Sequence, residues 1–341
     1  MHRSRTRCSI MAAAVFALSF ACVAPSAKAL DAAAAKTPDV RLQQTLDALA
    51  RRARPGTLGV AVLDLQSGAE ASVNGGQAFP MMSVFKAPVA AAVLWRIDEG
   101  KLSLQQQVTL TRADVLSGSA VPSIGAHFRG ERMTFTVEQL LKAAVSESDN
   151  TAVDALVKVV GGPQVVTAFL RVHGIDGMRV DLDEAGVGRI FQNLGPGQEV
   201  PAKESAQASL ERHRRGFKAF LAAPYNRSTP DAAVMFLRKL HGNELLTPAS
   251  TQHLLDLMAA QTIPNRLRAG VPRGVGLADK TGTSYSLDGR TASFNDIGIL
   301  SGPNGHTVIV AAFLTDSSAS EAERNALFAD ITRAAATSFH P

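Results

Sequence analysis

Strand-like segments stand at the two ends of this chain, and the long stretch between them has almost entirely helical periodicity. Near the start, Thr57-Leu58-Gly59-Val60-Ala61-Val62-Leu63-Asp64 runs into Gly68, and Ala71-Ser72-Val73 leads into Asn74-Gly75. Near the end, Gly276 to Thr283, Ser293 to Leu300 and Thr307 to Leu314 form a three-strand run parted by turn signals at Asp288-Gly289 and Pro303-Asn304-Gly305. A two-stranded hairpin is marginal in water, so the early strands need the late ones. The expected fold is therefore α/β in the α+β sense, with one antiparallel sheet formed by both chain ends, flanking helices and an all-α lobe inserted between sheet strands. The flanking helices are predicted over Val40 to Arg52 and after the capping pattern Ser318-x-x-Glu321, where Leu327, Ile331 and Ala335 share a side. At 341 residues the chain is long enough for about two lobes. The α/β lobe is expected over about 38–80 and 260–341, and the helical lobe over about 81–259. The cleft between lobes is the default site.

The first 29 residues read as a secretory signal. Arg3, Arg5 and Arg7 form a basic start, Ile10 to Val23 is apolar, and Ala27-Lys28-Ala29 has the small-x-small form of a cleavage site. The apolar run is shorter than a membrane span, so no anchor is expected after cleavage near Ala29. The location implied is periplasmic or secreted. Asp31 to Lys36 then reads as an Ala-rich spacer.

Charge and cysteine content exclude several chemistries. The net charge of +5 lies mostly in the signal, and the rest holds 31 basic against 30 acidic residues. A near-neutral domain has no field to recruit phosphate backbones, so no nucleic-acid partner is expected. Cys8 and Cys22 both fall in the signal, which leaves no disulfide, thiol nucleophile or thiolate metal site in the mature chain. The remaining histidines are scattered without metal-ligand spacing, and no phosphate loop or dinucleotide fingerprint is present. No metal and no cofactor are called for.

Three short motifs carry chemistry. Ser83-Val84-Phe85-Lys86 stands where Pro80 gives way to a long helix, so a hydroxyl and an amine project one turn apart. Ser148-Asp149-Asn150 follows the helical segment Val137 to Val145 and offers a hydroxyl, a carboxylate and an amide, which suit a proton relay or a helix cap. Lys280-Thr281-Gly282-Thr283 lies on a predicted strand, where a cation and two hydroxyls can clamp a carboxylate and Gly282 permits close backbone approach.

In that order, on those elements, the three motifs resemble those of the class A β-lactamases within the penicillin-recognising serine enzymes. The likeness continues through Thr134 to Gly174, Leu237 to Leu240, Asn243 to Leu246 and Ala278 to Gly282, and covers most of residues 30–341. It implies a two-step acyl transfer on a small-molecule β-lactam by a monomer. Ser83 would be the nucleophile, Lys86 would assist removal of its proton, and Ser148 would pass a proton to the leaving nitrogen. Backbone N–H groups of Ser83 and Thr283 would hold the oxyanion. Asn150 would orient Lys86 and substrate, and Lys280, Thr281 and Thr283 would hold the substrate carboxylate. Glu184, in Arg179-Val180-Asp181-Leu182-Asp183-Glu184, resembles the water-activating base at the start of the family's omega loop.

The chain departs from the family around Glu184. Leu182 stands where the family has an ion-pairing Arg, and Gly188 stands where it has an Asn that shares the hydrolytic water; Asn193 is a possible substitute. The loop is extended by an insertion over about 185–227, in which Gly195-Pro196-Gly197 reads as a turn and Lys203 to Leu221 as an added helix. Arg212, His213, Arg214, Arg215 and Lys218 on that helix read as a solvated face. Arg290 is a candidate for extra charge at the carboxylate site. With Ser117-Gly118-Ser119 in place of an aromatic gate, the cleft rim is expected to be open. Two alternatives to a β-lactamase stay open, a penicillin-binding DD-peptidase and a slowly deacylating β-lactam-binding or sensor protein of the same fold.

Overall fold

A computed structural model describes residues 37–119, 121 and 123–339; the predicted signal and spacer, 1–36, lie outside the described residues. Its main sheet is built from both ends of the chain. Thr57–Asp64 is hydrogen-bonded on one side to Ala69–Val73 and on the other to Thr307–Ser317, with Val60 opposite Ala312. Beyond lie Arg290–Ser301 and then Gly276–Thr283 at the edge. These pairings are antiparallel; the two-residue strand Thr37–Pro38 adds a parallel edge beside Ala69–Val73.

Both faces of the sheet are covered, which is why its strands read as continuous apolar runs. Side chains alternate between the faces. Leu58, Val60 and Val62 pack with Leu46 and Leu49 of the first helix, Val40–Arg52, and with Leu327, Phe328 and Ile331 of the last, Glu321–Ala335. Ala61, Leu63, Ile297, Ile299 and Phe313 face the helical block instead. At the centre of that block runs Lys86–Asp98, buried all round from Lys86 to Leu94. Ala90, Ala91 and Ala92 keep its girth small enough for neighbours to close on every side.

Two local expectations are corrected. The region 81–259 is not wholly helical: Gln107–Thr111 and Arg132–Thr136 form an antiparallel hairpin, and Phe79–Pro80 pairs with Arg227–Ser228. The segments Gln-Val-Thr-Leu-Thr and Arg-Met-Thr-Phe-Thr alternate with period two and are rich in β-branched residues, a strand signal too short to stand out amid helices. The last helix is capped by Ser320 with Glu323, not by Ser318 with Glu321. Both pairs have the same spacing, but the preceding strand continues through Ser317 and delays the helix start.

The insertion folds as two helices, Glu184–Phe191 and Ala206–Ala222. They cross where Gly216 meets the Phe191 carbonyl; a Cβ at Gly216 would stand 2.0 Å from that oxygen. Phe191 stacks on Phe220 at 4.1 Å, and with Val187 and Phe217 they make a small apolar core that also takes in Met82 and Ala292. The added helix is less solvated than its sequence suggests. Arg212 is buried and ion-paired with Glu204 at 2.8 Å, and Arg214 reaches Asp288 at 2.7 Å, while Arg215 and Lys218 stay exposed.

Candidate active site

Ser83 lies on a single 3-10 turn, Met82–Phe85, that feeds directly into the buried helix Lys86–Asp98. It is the one partly exposed residue of that turn. Met82 enters the turn at φ +46°, a left-handed conformation that a long side chain adopts only under constraint. The constraint is visible. Asn295 Nδ2 donates to the carbonyls of Pro80 and Met81 at 2.8 and 2.9 Å, and Ser293 Oγ donates to Pro80 O at 3.0 Å. The edge strand closes on the same turn through Gly282, where a Cβ would stand 2.4 Å from Met81 O and 3.2 Å from Ser83 N.

Two buried lysines meet at one hydroxyl. Lys86 Nζ donates to Ser148 O at 2.6 Å and Asn150 Oδ1 at 2.7 Å, and stands 3.4 Å from Ser148 Oγ. Lys280 Nζ donates to the same Ser148 Oγ at 3.0 Å. Ser148 is held at φ +57°, and Asp149 caps the following helix, Asn150–Val160, by accepting from Ala152 N at 2.7 Å. The cap and relay readings of Ser148-Asp149-Asn150 are thus compatible: Asp149 caps while Ser148 and Asn150 face the lysines. Burial pushes the Lys86 amine down, against the opposing pull of the Glu184 carboxylate. Lys280 is pushed well down by burial and then by the positive charge of Lys86.

Glu184 opens the Glu184–Phe191 helix, and its Oε2 is shielded from water without a hydrogen-bond partner. Burial raises its carboxyl, opposed by Lys86 and Lys280. Glu184 and Asn150 line one cavity of about 450 Å³, in which Glu184 is the only carboxylate among the described lining residues. A hydroxyl on a turn, paired amines on a second hydroxyl and an unpartnered carboxylate together suit nucleophilic acyl transfer followed by water activation.

The profile of the β-lactamase enzyme family matches residues 41–339. The chain belongs to the class A β-lactamases. It is 32% identical over 283 residues to the extended-spectrum β-lactamase PER-1 of Pseudomonas aeruginosa, spanning 83% of this chain and 82% of that one. It is 28% identical to β-lactamase VEB-1 of the same organism, over 83% and 85%. Among solved structures, a β-lactamase from Chitinophaga pinensis superposes with TM-score 0.71 at 32% identity, over 86% of this chain and 97% of that one. An ancestral Gram-negative class A β-lactamase gives 0.70 at 33%, over 87% and 100%.

Against that family frame, several expectations at the site change. Arg290 does not join it: its guanidinium is paired with Asp316, because the strand Arg290–Ser301 directs its first residue toward the end of the neighbouring strand. A different arginine backs the edge strand. Buried Arg266 donates to Thr283 Oγ1, to Gly282 O at 3.1 Å and to Asn295 O at 2.7 Å. No motif surrounds Arg266 in the sequence, so nothing there signalled it. Asn193 does not line the cavity; it turns the chain after the Glu184 helix at φ +51°. The rim is not left without an aromatic group either. Tyr285, just past Lys280–Thr283, brings its hydroxyl against Gly118, where a Cβ would stand 2.6 Å away, and its ring lies edge-on to Phe191 at 5.9 Å.

Two other residues position Glu184. Asp154 accepts from Glu184 N at 2.6 Å and Ala185 N at 3.0 Å, satisfying first-turn donors that the helix itself cannot. Burial, with the nearby Asp183 carboxylate, raises Asp154 to about 7. Its signal was a lone carboxylate inside the apolar run Ala152 to Val157. Asn226 closes the neck of the loop where the ion pair was missed at Leu182. Its Oδ1 accepts from Asp181 N at 2.7 Å and Leu182 N at 2.9 Å, and its Nδ2 donates to Leu182 O at 2.9 Å. Leu182 itself packs against the apolar core of the insertion.

Asn226→Ala would strand those part-buried backbone groups and place an alanine at φ +48°. The expected cost is roughly 2–4 kcal/mol. Thermal unfolding should shift down by several degrees, and limited proteolysis should cut first between 182 and 226. A melting curve and cleavage pattern like those of the wild type would show that the apolar core holds the loop alone.

Proposed function

We propose that this protein is an exported serine β-lactamase that hydrolyses the β-lactam amide of penicillin- and cephalosporin-type antibiotics through an acyl-enzyme on Ser83. The observation that carries the reading is the meeting of Lys86 and Lys280 on Ser148 Oγ, beside the Ser83 turn. The β-lactamase relatives support the same substrate class.

In the first step Ser83 Oγ attacks the lactam carbonyl carbon while Lys86, its amine pushed toward the neutral form, takes the hydroxyl proton. The backbone N–H groups of Ser83 and Thr283 hold the developing oxyanion, an interaction typically worth about 3 kcal/mol per donor. The C–N bond then breaks, and Ser148 relays a proton to the departing nitrogen. Asn150 fixes Lys86, while Lys280, Thr281 and Thr283 hold the substrate carboxylate, with Arg266 behind Thr283. In the second step Glu184 takes a proton from water, the water oxygen attacks the ester carbon, and the C–O bond to Ser83 breaks. Ser83 recovers its proton, and the ring-opened acid leaves. The basic start, apolar run and Ala27-Lys28-Ala29 support export to the periplasm or medium and cleavage near Ala29.

One observation favours a second reading, a protein that acylates and stays acylated, as a DD-peptidase or β-lactam sensor would. Gly188 offers no side chain to share the water with Glu184, and a Cβ there would meet nothing within 4 Å. An intact-mass time course with benzylpenicillin, with substrate loss followed in parallel, separates the readings. Many turnovers with return to the free mass are expected; a stoichiometric adduct that persists would overturn hydrolysis in favour of the second reading.

A further inference from the structure

A second cavity is walled in part by the residue just before Ser148. It holds about 380 Å³ and is bounded by Ile124 and His127 of the short helix Ile124–His127, by Met133 and Phe135 of the strand Arg132–Thr136, and by Ser123 and Glu147. None of these residues lines the cavity that Glu184 enters. Its walls are of two kinds. Ile124, Met133 and Phe135 are half-buried apolar side chains, whereas Glu147 is a half-buried carboxylate. The buried Ser123 hydroxyl donates to Glu147 Oε2 and fixes that carboxylate in the wall. A hydroxyl carries no countercharge, and no lysine or arginine is among the described lining residues. A volume of about 380 Å³ suits a small organic molecule rather than a single water.

We propose that this cavity is a binding site for a small organic ammonium ion, whose amine pairs with Glu147 and whose aryl or branched alkyl body fills the space between Ile124, Met133 and Phe135. An ammonium supplies the missing countercharge, and its hydrogen bond to a carboxylate flanked by apolar walls is stronger than the same bond in water. The apolar body adds the burial of its own surface. A neutral molecule of the same shape would draw the carboxylate away from water without compensating its charge. The site adjoins the Ser148 turn without entering the acyl-transfer cavity. Glu147 directly precedes Ser148, and Gly125 N of the short helix donates to Asp149 Oδ2 at 3.3 Å. An occupant would therefore tie helix, strand and turn together, and because it binds only the folded chain it would raise the melting temperature.

The test is a calorimetric titration of the protein with 2-phenylethylamine at neutral pH, with 2-phenylethanol as the uncharged counterpart and a melting curve beside each. The amine should bind saturably with a Kd of about 1 mM or tighter and raise the melting temperature. The alcohol should bind at least about tenfold more weakly. Glu147→Gln keeps an acceptor for Ser123 but removes the charge, and should weaken the amine at least about tenfold. Ile124→Trp fills the space while leaving the carboxylate in place, and should abolish saturable binding. Met133→Trp fills it from the strand and decides the point if Ile124→Trp does not fold. Glu184→Gln, which neutralises the carboxylate of the other cavity, should bind the amine as the wild type does. No saturable binding in the wild type, equal affinity for amine and alcohol, or binding that survives Glu147→Gln and is lost in Glu184→Gln would overturn the site.

Discussion

With alanine at position 83, the protein is expected to form no covalent adduct with benzylpenicillin and to lose at least about 10³-fold in kcat/KM. No other residue of the turn Met82–Phe85 carries a hydroxyl. Ser148, the nearest hydroxyl bound to the amines, is buried, and its Oγ accepts from Lys280. The substitution should cost little stability, because Ser83 is the partly exposed residue of an otherwise buried turn. The clamps on Pro80 and Met81 come from Asn295 and Ser293 and remain in place. Intact mass after incubation, with a melting curve as control, reads both outcomes. An adduct of unchanged yield would move the nucleophile elsewhere and undo the assignment of Lys86 with it.

Replacing Glu184 by Gln should leave acylation running and slow deacylation by about 10²–10⁴-fold, so that the acyl-enzyme accumulates. The shape of the residue is kept while its ability to take a proton from water is lost. No other carboxylate among the described residues lines the cavity, and Glu204 is committed to Arg212. The same carboxyl gives a pH dependence with a definite sign. Burial raises Glu184, and the base works only when ionised. Its active form is therefore lost as pH falls through a pKa above that of an ordinary glutamate, and deacylation should begin to fail at a correspondingly higher pH. Acyl-enzyme should then build up in the wild type on mild acidification. Turnover unchanged in Glu184→Gln, or a wild-type deacylation limb at the ordinary glutamate pKa, would place the base elsewhere.

Much of this was legible in one dimension because it depends on local order. Ser83 and Lys86 are one helical turn apart, so their partnership is written in their spacing. The strand Gly276–Thr283 falls where it was read, because its pattern and turns are local. Glu184 could be named because the short run Arg179 to Glu184 is itself a local pattern that resembles the start of the family's omega loop. Arg290 misled because it is near Lys280 in sequence; an arginine's partners depend on which neighbouring strand end it reaches, here Asp316. Arg266, which does back the edge strand, stands 17 residues from the Thr283 it contacts.

The sequence by itself determined the sheet made from both chain ends, the buried helix behind Ser83 and the three motifs. Each follows from periodicity, turn residues or fixed spacing along a single element. Only the tertiary structure decided how the altered loop is held. Asn226 is 44 residues from Leu182, and what links them is a pair of hydrogen bonds between the Asn226 side-chain amide and the Leu182 backbone, which no local pattern encodes. It also decided that the added helix lies against the Glu184 helix and lends Phe217 to the cavity wall, while Tyr285 crosses the rim that Gly118 leaves free. Those placements depend on where two helices can touch, which Gly216 sets through space by leaving room for the Phe191 carbonyl.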